Sequence, residues 1–235
     1  MRKKKIFLIS AIALICIVLA PVLVLVFRTP SAAKIFEKAS ISVVELKAQD
    51  GEDIISYGTA ELISKTGEFI TNAHVVTYTK MGATTEFKEY FIRFTFETEY
   101  RAVELIKYDL ALDLAVLKLK KTPKIKLKPI PIGNSSKLKS GDKIYAVGNS
   151  QNFGIGISQG IIGIPLIEIE YSEQNRKVIQ CDITIAEGNS GGALLDRNGK
   201  LIGITTFRTK DSKGNVIYGL AYCVPVDIAL EFIDV

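Results

Sequence analysis

The sequence predicts an all-β fold of two six-stranded antiparallel β-barrels, preceded by an N-terminal transmembrane helix and followed by a short C-terminal helix. Short runs rich in Val, Ile, Thr, Tyr and Phe follow one another along most of the chain, separated by Gly, Asp, Asn or Lys-rich turns. A basic segment with a proline, residues 120–128, divides these runs into two sets. Residues 226–233 have the spacing of a helix.

The N-terminal segment is predicted to be a membrane anchor. The run from Ile6 to Phe27 is almost wholly apolar and follows the basic residues 2–5. At 1.5 Å per residue it forms a helix about 33 Å long, enough to cross a hydrocarbon core of about 30 Å. A cleaved signal peptide is the alternative, since residues 31–33 are small, but signal peptides usually have apolar regions of about 7–15 residues. We therefore expect a retained single-pass anchor with a cytoplasmic N-terminus and an extracytoplasmic remainder.

The expected division of the chain has four parts. These are a basic stub and anchor at 1–28, a linker and short helix at 29–40, the first barrel at 41–122 and the second barrel at 123–235. The strands predicted for the first barrel are 41–47, 57–64, 68–73, 91–97, 102–108 and 114–119. Those predicted in the second part are 128–132, 143–148, 157–165, 177–185, 193–196, 200–206 and 217–225. The polar residues 79–89 are predicted to be an exposed loop.

The charge distribution excludes a nucleic-acid partner. The formal net charge is +5, from 30 basic and 25 acidic residues. Five of the basic residues lie at positions 2–5 and 28, and no acid precedes Glu37, so the remainder holds 25 basic and 25 acidic residues. The basic character therefore belongs to the ends of the anchor and not to a binding face.

The three cysteines, Cys16, Cys181 and Cys223, form neither a disulfide framework nor a metal-ligand pattern. Cys16 lies in the apolar N-terminal run. Cys181 and Cys223 both fall in predicted strands of the second barrel. A bridge between them is one reading in an oxidising compartment, and two inert buried thiols are the reading that we favour.

A tight turn between two predicted strands holds the candidate nucleophile. The sequence Glu-Gly-Asn-Ser-Gly-Gly-Ala at 187–193 leaves the hydroxyl of Ser190 exposed, with little bulk beside it. The backbone N–H groups of Gly188 and Ser190 can converge on one point there and stabilise an oxyanion. Glycine-rich turns also join strands for structural reasons, so this turn alone does not establish a nucleophile.

His74, the single histidine of the chain, is the candidate base that a serine nucleophile requires. A lone histidine is usually structural, but His74 follows a short apolar strand, where an active-site base is commonly held. Asp113 opens an almost wholly apolar strand, and a carboxylate there needs a partner such as an imidazole N–H. Asp109 has the same local pattern and remains the alternative, although the longer apolar strand after Asp113 favours Asp113. His, Asp, Ser is one of the chain orders of the catalytic triad.

Three blocks, at 71–75, 113–117 and 188–194, resemble the catalytic blocks of HtrA/Deg-type serine proteases. Residues 141–149, 158–162 and 220–225 resemble further strands of the same family, so that the resemblance covers roughly residues 35–235. It implies the chymotrypsin/trypsin-like double-barrel fold, with His74, Asp113 and Ser190 as the triad and Gly188 and Ser190 as the oxyanion hole. It also implies polypeptide substrates, protein quality control and a homo-oligomer, a trimer. The triad mechanism requires no metal or organic cofactor.

The sequence departs from related enzymes in ways that bear on specificity and regulation. Asn189 precedes the serine, as in HtrA-type enzymes, where trypsin-like relatives carry an aspartate that pairs with a freed N-terminus. Thr184, six residues before Ser190, is not an acid, which argues against Lys or Arg at the cleaved position. Together with Thr206, Phe207 and Arg208 it is expected at the substrate pocket. The family usually carries PDZ domains after the protease, and here either the natural protein lacks them or the chain is a fragment.

Two functions of different class follow from these patterns. The first is a membrane-tethered serine endopeptidase acting on misfolded or specific exported proteins. The second is a latent or inactive protease-like module that binds extended peptides as added strands. The presence of all three triad residues favours the enzyme.

Overall fold

The computed structural model describes residues 29–121, 126–171, 174–210, 213 and 215–234. The predicted anchor at 1–28 and part of the linker between the barrels, residues 122–125, lie outside the described residues. Within the described part, no helix is both long enough and apolar enough to cross a membrane.

The first sheet closes into a six-stranded barrel with the strand order β1-β2-β3-β8-β7-β6. Its strands and the hairpin inserted between them are β1 (Val43–Asp50), β2 (Ile54–Leu62), β3 (Glu68–Thr71), β4 (Thr77–Lys80), β5 (Ala83–Glu86), β6 (Glu89–Phe94), β7 (Arg101–Asp109) and β8 (Leu114–Leu119). Helix α1 (Ala32–Ala39) precedes the barrel, and the short helix α2 (Ala73–Val76) follows β3. The alternation that predicted strands is visible in β6, where Tyr90, Ile92 and Phe94 point inward.

The second sheet closes in the order β10-β11-β14-β13-β12-β9, with all neighbouring pairs antiparallel. Its strands are β9 (Lys143–Gly148), β10 (Gly156–Tyr171), β11 (Gln174–Asp182), β12 (Ala193–Asp196), β13 (Leu201–Lys210) and β14 (Val216–Pro225). Helix α3 (Val226–Asp234) follows β14, as the spacing of residues 226–233 predicted. Strands β10 and β11 form a long hairpin that extends from the barrel wall.

Two positions differ from the sequence-based expectation. Residues 79–89 are not a plain loop, because β4 and β5 pair as a hairpin around Met81 and Gly82. Both turn residues have a positive φ, 51° and 80°, which suits the right-handed twist of a tight hairpin. The predicted strand at 128–132 is mostly irregular and keeps only a single bridge, from Ile132 to Leu201.

Three apolar clusters hold the fold together. One fills the first barrel around Phe69 and Phe94, and one fills the second barrel around Ile144 and Ile179. The third joins the barrels, since it combines Val43 and Ile70 of the first with residues of β9 and β12, and with the inner faces of α1 and α3. The ends of β3, β8 and β12 meet beside this inter-barrel cluster, and this arrangement brings the three sequence blocks into one region.

The two described cysteines, Cys181 and Cys223, are free thiols, each fully buried in the second barrel. They lie on adjacent strands β11 and β14. A hydrogen bond that the Cys223 thiol shares with the Cys181 side chain, together with burial, raises the pKa of the Cys223 thiol. Two free, buried cysteines in the core are what the favoured interpretation expected.

Candidate active site

His74 lies in the single turn of helix α2, directly after strand β3. Its Nδ1 lies 2.9 Å from Asp113 Oδ2 and 3.0 Å from Asp113 Oδ1. The backbone N–H of His74 donates to the same Oδ1 at 3.1 Å. The His74 side chain is 47% exposed, whereas that of Asp113 is 5% exposed, so one ring edge is fixed from behind while the other faces solvent. This geometry selects the tautomer with the proton on Nδ1 and leaves Nε2 free as an acceptor.

Asp113 occupies the turn before strand β8 with φ of 56°, in the left-handed region that Asp tolerates better than most residues. The structure brings Asp113, and not Asp109, to the histidine. Asp109 Oδ1 instead accepts the backbone N–H groups of Ala111 and Leu112, at 2.7 and 2.9 Å. Asp109 is therefore a turn-forming carboxylate that shapes the loop in which Asp113 sits.

Ser190 lies in the turn between Asp182 and β12, half-buried beside the same cavity as His74. Its Oγ donates to the carbonyl oxygen of Thr206 at 3.2 Å. Among the described residues, no hydrogen bond joins this hydroxyl to the imidazole. Such bonds are often long or misaligned before substrate binds, and a rotation about χ1 redirects the hydroxyl.

The turn around Ser190 is anchored by Thr59 of strand β2. The Thr59 backbone N–H donates to the Ser190 carbonyl oxygen at 2.9 Å, and Thr59 Oγ1 donates to the Gly188 carbonyl oxygen at 2.7 Å. Gly191 has φ of 79°, and a Cβ there would lie 2.1 Å from Thr71 Oγ1. Only glycine fits at this position, which explains one of the glycines in the motif.

The predicted oxyanion-hole groups are the backbone N–H groups of Gly188 and Ser190. In the part of the chain that the structure describes, neither N–H donates to a protein acceptor. The neighbouring carbonyl oxygens are held by other groups, since Glu187 O accepts the N–H of Gln151 at 2.7 Å. Gly188 has φ of 87°, and a Cβ would lie 2.1 Å from the carbonyl oxygen of Asn149. Two unused N–H groups beside the hydroxyl are what an oxyanion site requires.

Asn72 connects the three segments and was not identified from the sequence as a functional residue. Its fully buried amide donates to the Asp113 carbonyl oxygen at 2.8 Å and to Thr206 Oγ1 at 3.1 Å. Its Oδ1 accepts the N–H of Gly191 at 2.6 Å. One side chain thus fixes the spacing between the histidine, aspartate and serine segments. The signal in the sequence was an asparagine two residues before the candidate base, because an amide that is buried there must find several hydrogen-bond partners.

The cavity beside Ser190 has a volume of about 410 Å³. Its walls are His74, Asp113, Tyr171, Arg176, Ile185, Ala186, Glu187, Ser190, Thr206, Phe207 and Arg208. Thr206, Phe207 and Arg208 line it, where the sequence-based prediction placed the substrate pocket. Thr184 does not line it: this residue is exposed, lies beyond the end of β11, and lines a separate, much smaller cavity of about 20 Å³.

The cavity lining includes an aromatic pair and several charged side chains. Tyr171 stacks on Phe207 with ring centroids 3.8 Å apart and the planes 12° from parallel. Arg208 donates to the Ile185 carbonyl oxygen at 3.4 Å and lies 4.0 Å from the exposed Glu187 carboxylate. A concave surface that combines apolar side chains with polar groups beside a candidate nucleophile is typical of a substrate site.

Comparison with known proteins assigns the family. The family described as "Trypsin-like peptidase domain" matches residues 58–204, which is more than half of the chain and includes all three predicted triad positions. The chain belongs to the trypsin-like peptidase family. The prediction of a serine endopeptidase is thereby confirmed at the level of the family, and so is the mostly β, trypsin-like fold.

Relatives of this trypsin-like peptidase are serine endoproteases of the HtrA/Deg type. It is 29% identical over 202 residues to the "Serine endoprotease DegS" of Haemophilus influenzae, covering 86% of this chain and 56% of the relative. It is 34% identical to "Protease Do-like 1, chloroplastic" of Arabidopsis thaliana, covering 75% of this chain and 38% of that one. A "Probable periplasmic serine endoprotease DegP-like" of Bartonella henselae is 33% identical over 77% of this chain and 33% of its own length.

A solved structure shows the same relationship in three dimensions. The structure described as "HtrA-type protease AlgW with tripeptide" superposes with a TM-score of 0.74 at 29% identity, covering 87% of this chain and 63% of the other. The predicted resemblance to HtrA/Deg-type proteases is confirmed by these relatives. The chain spans about half or less of the length of the relatives from H. influenzae, A. thaliana and B. henselae.

Proposed function

We propose that the chain is a membrane-tethered serine endopeptidase that cleaves misfolded or specific exported polypeptides. The observation that carries the proposal is the hydrogen bond between His74 Nδ1 and Asp113 Oδ2 at 2.9 Å, beside a cavity that Ser190 also lines. An imidazole that is oriented by a buried carboxylate and exposed on its other edge is the base that a serine nucleophile needs.

In the proposed mechanism, Ser190 Oγ turns from Thr206 toward His74 and attacks the substrate carbonyl carbon. His74 Nε2 takes the hydroxyl proton and then gives it to the leaving amine, while Asp113 stabilises the imidazolium that forms between these steps. The N–H groups of Gly188 and Ser190 stabilise the oxyanion, and each such donor typically lowers the activation barrier by about 3 kcal/mol. Water, activated in turn by His74, hydrolyses the acyl-enzyme.

The membrane part of the proposal comes from the sequence. The apolar run from Ile6 to Phe27 and the basic residues before it support a retained anchor with the peptidase on the extracytoplasmic side. Several relatives are described as probable periplasmic endoproteases, which supports the same side for this chain. Assembly into a homo-oligomer and a role in protein quality control are parts of the proposal that come from the resemblance alone.

The test of the proposal is cleavage of an unfolded polypeptide by the full chain purified in detergent. We expect internal cuts in a reduced, alkylated protein substrate, with new N-termini identified by mass spectrometry. The same preparation of a Ser190→Ala variant is the control for contaminating proteases. Binding of the substrate by the folded wild type without any new N-terminus would contradict the proposal and would favour the peptide-binding module.

A further inference from the structure

Arg176 of strand β11 lies outside the three catalytic sequence blocks, yet its side chain contacts the candidate triad from behind Asp113. Its Nη1 lies 3.4 Å from Asp113 Oδ2, the carboxylate oxygen that His74 Nδ1 contacts at 2.9 Å. The Arg176 side chain is 11% exposed and the Asp113 side chain 5% exposed. A permanently charged guanidinium therefore shares one carboxylate with the candidate base.

Two further contacts hold Arg176 in this place. Its Nη2 donates to the Leu110 carbonyl oxygen at 2.9 Å, which ties it to the turn that carries Asp113. Its guanidinium carbon lies 5.5 Å from the centroid of the Tyr171 ring. Its Nε is buried without a hydrogen-bond partner among the described residues. A buried cation with one unsatisfied donor lowers the stability of the fold unless an opposite charge compensates it. The opposite charge that Arg176 contacts is the Asp113 carboxylate.

We propose that Arg176 is a positioning residue that acts on His74 through Asp113. This inference rests on the proposed function. The guanidinium keeps the carboxylate in the orientation that receives His74. Its positive charge also offsets part of the negative charge that Asp113 presents to the imidazole.

The other charged or titratable groups near His74 do not offer an equivalent contact. Glu187, on the loop before Ser190, is 85% exposed, and its nearest cationic partner is Arg208 of β13 at 4.0 Å. Asp109, the last residue of β7, accepts backbone N–H groups of the turn that follows. Tyr171 of β10 stacks on Phe207. Arg176 is thus the cation that contacts the Asp113 carboxylate within the described residues, and its removal is expected to act on His74 selectively.

The test uses the fact that the chain has one histidine, so that a single imidazole is followed by NMR as a function of pH. In the full chain in detergent, Arg176→Met is expected to raise the midpoint of the His74 titration by about half to one pH unit, because Asp113 is then unopposed. Arg176→Gln, whose amide retains a donor for the Leu110 carbonyl oxygen, is expected to do the same. Arg176→Lys, which keeps the charge, is expected to restore a midpoint close to that of the wild type.

Arg101→Met is the matched control, since Arg101 is also a part-buried, ion-paired arginine, bound to Glu97 outside this cavity. In the Arg101→Met variant, the midpoint of the His74 titration is expected to equal that of the wild type. An unchanged or lowered midpoint in both folded neutral variants would overturn the inference, because a purely structural arginine would alter stability without this shift.

A kinetic readout separates this inference from the proposed function. If the chain hydrolyses peptides, the acid limb of its kcat/KM profile is expected to move to higher pH together with the NMR midpoint, chiefly through kcat. A shifted midpoint in a chain without hydrolysis would leave the inference standing and remove the proposed function. Hydrolysis together with an unshifted His74 midpoint would support the proposed function and overturn the inference about Arg176.

Discussion

Replacing Asp113 with Asn is expected to lower kcat/KM for peptide hydrolysis by about four orders of magnitude while the fold is retained. The carboxylate accepts both the ring Nδ1–H and the backbone N–H of His74. An amide turned to donate toward Nδ1 would favour the other tautomer, with its proton on Nε2, which cannot accept a proton from Ser190. The measurement is steady-state hydrolysis of a fluorogenic peptide by wild type and variant, with thermal unfolding as the check on folding.

Asp109→Asn is the matched control for this prediction. Asp109 was the alternative third residue, and the structure shows it capping its own turn through Oδ1. An asparagine side-chain oxygen accepts the same two N–H groups, so kcat/KM is expected to stay within about twofold of the wild type. A large loss in Asp109→Asn together with a small one in Asp113→Asn would contradict the assigned roles.

Replacing Glu61 with Val is expected to stabilise the protein by about 2 kcal/mol at neutral pH, or roughly 4–8 °C in Tm. Glu61 is fully buried in β2, opposite Val43 and Ile70 of the inter-barrel cluster. Neither carboxyl oxygen has a hydrogen-bond partner among the described residues. Valine has a similar volume and suits a strand, so the substitution removes an unsatisfied polar group without leaving a large cavity.

The stabilisation from Glu61→Val is expected to depend on pH in a defined direction. Burial raises the pKa of Glu61 well above its ordinary value of 4.5. The folded state then holds the proton more tightly than the unfolded state, so the stability linked to this group is complete below pH 4.5. It is lost as the pH rises toward the raised pKa, by up to about 1.4 kcal/mol per pH unit. Glu61→Val should therefore gain more over wild type at pH 7.5 than at pH 4.5.

Glu45→Val is the control for the Glu61 prediction, since Glu45 is a similarly buried acid on the neighbouring strand β1. Its carboxylate accepts Arg93 Nη2 at 2.7 Å and the Tyr100 hydroxyl at 3.1 Å. Removal of the Glu45 carboxylate is expected to lower the free energy of unfolding by about 1–2 kcal/mol. The loss is limited because the Arg93 side chain is partly exposed. Equal destabilisation by both substitutions, or a Glu61→Val gain that does not change with pH, would refute the account of Glu61.

The fold was predictable because local pattern and tertiary placement agree over most of the chain. Strand β6 alternates apolar and polar residues as a barrel wall does, and β8 is an almost wholly apolar run. The pair Asn198-Gly199, a sequence typical of tight hairpin turns, lies between β12 and β13. The candidate triad was predictable for a different reason. A lone histidine, an acid that opens an apolar strand and a glycine-flanked serine are each uncommon, and their order narrows the alternatives.

The other features of the site and core depend on contacts between segments that are far apart in the sequence, which local patterns do not reveal. Arg176 lies far along the chain from Asp113, and its approach depends on the length and twist of the β10–β11 hairpin. Thr184 was placed in the pocket by its spacing from Ser190, but the backbone turns its side chain to another surface. Glu61 sits in a strand pattern that offers no warning of an unpartnered carboxyl, because its neighbours across β1 and β3 are known only from the register.

The most direct test of the central claim is reaction of the folded full chain with a fluorophosphonate, a probe that captures activated serine hydroxyls. The account predicts a single adduct, located on Ser190 by peptide mass spectrometry. Because the base as well as the nucleophile is required, labelling should disappear in Ser190→Ala and fall by at least about a thousandfold in His74→Ala. Absence of an adduct in the folded wild type, or equal labelling of the wild type and His74→Ala, would contradict it.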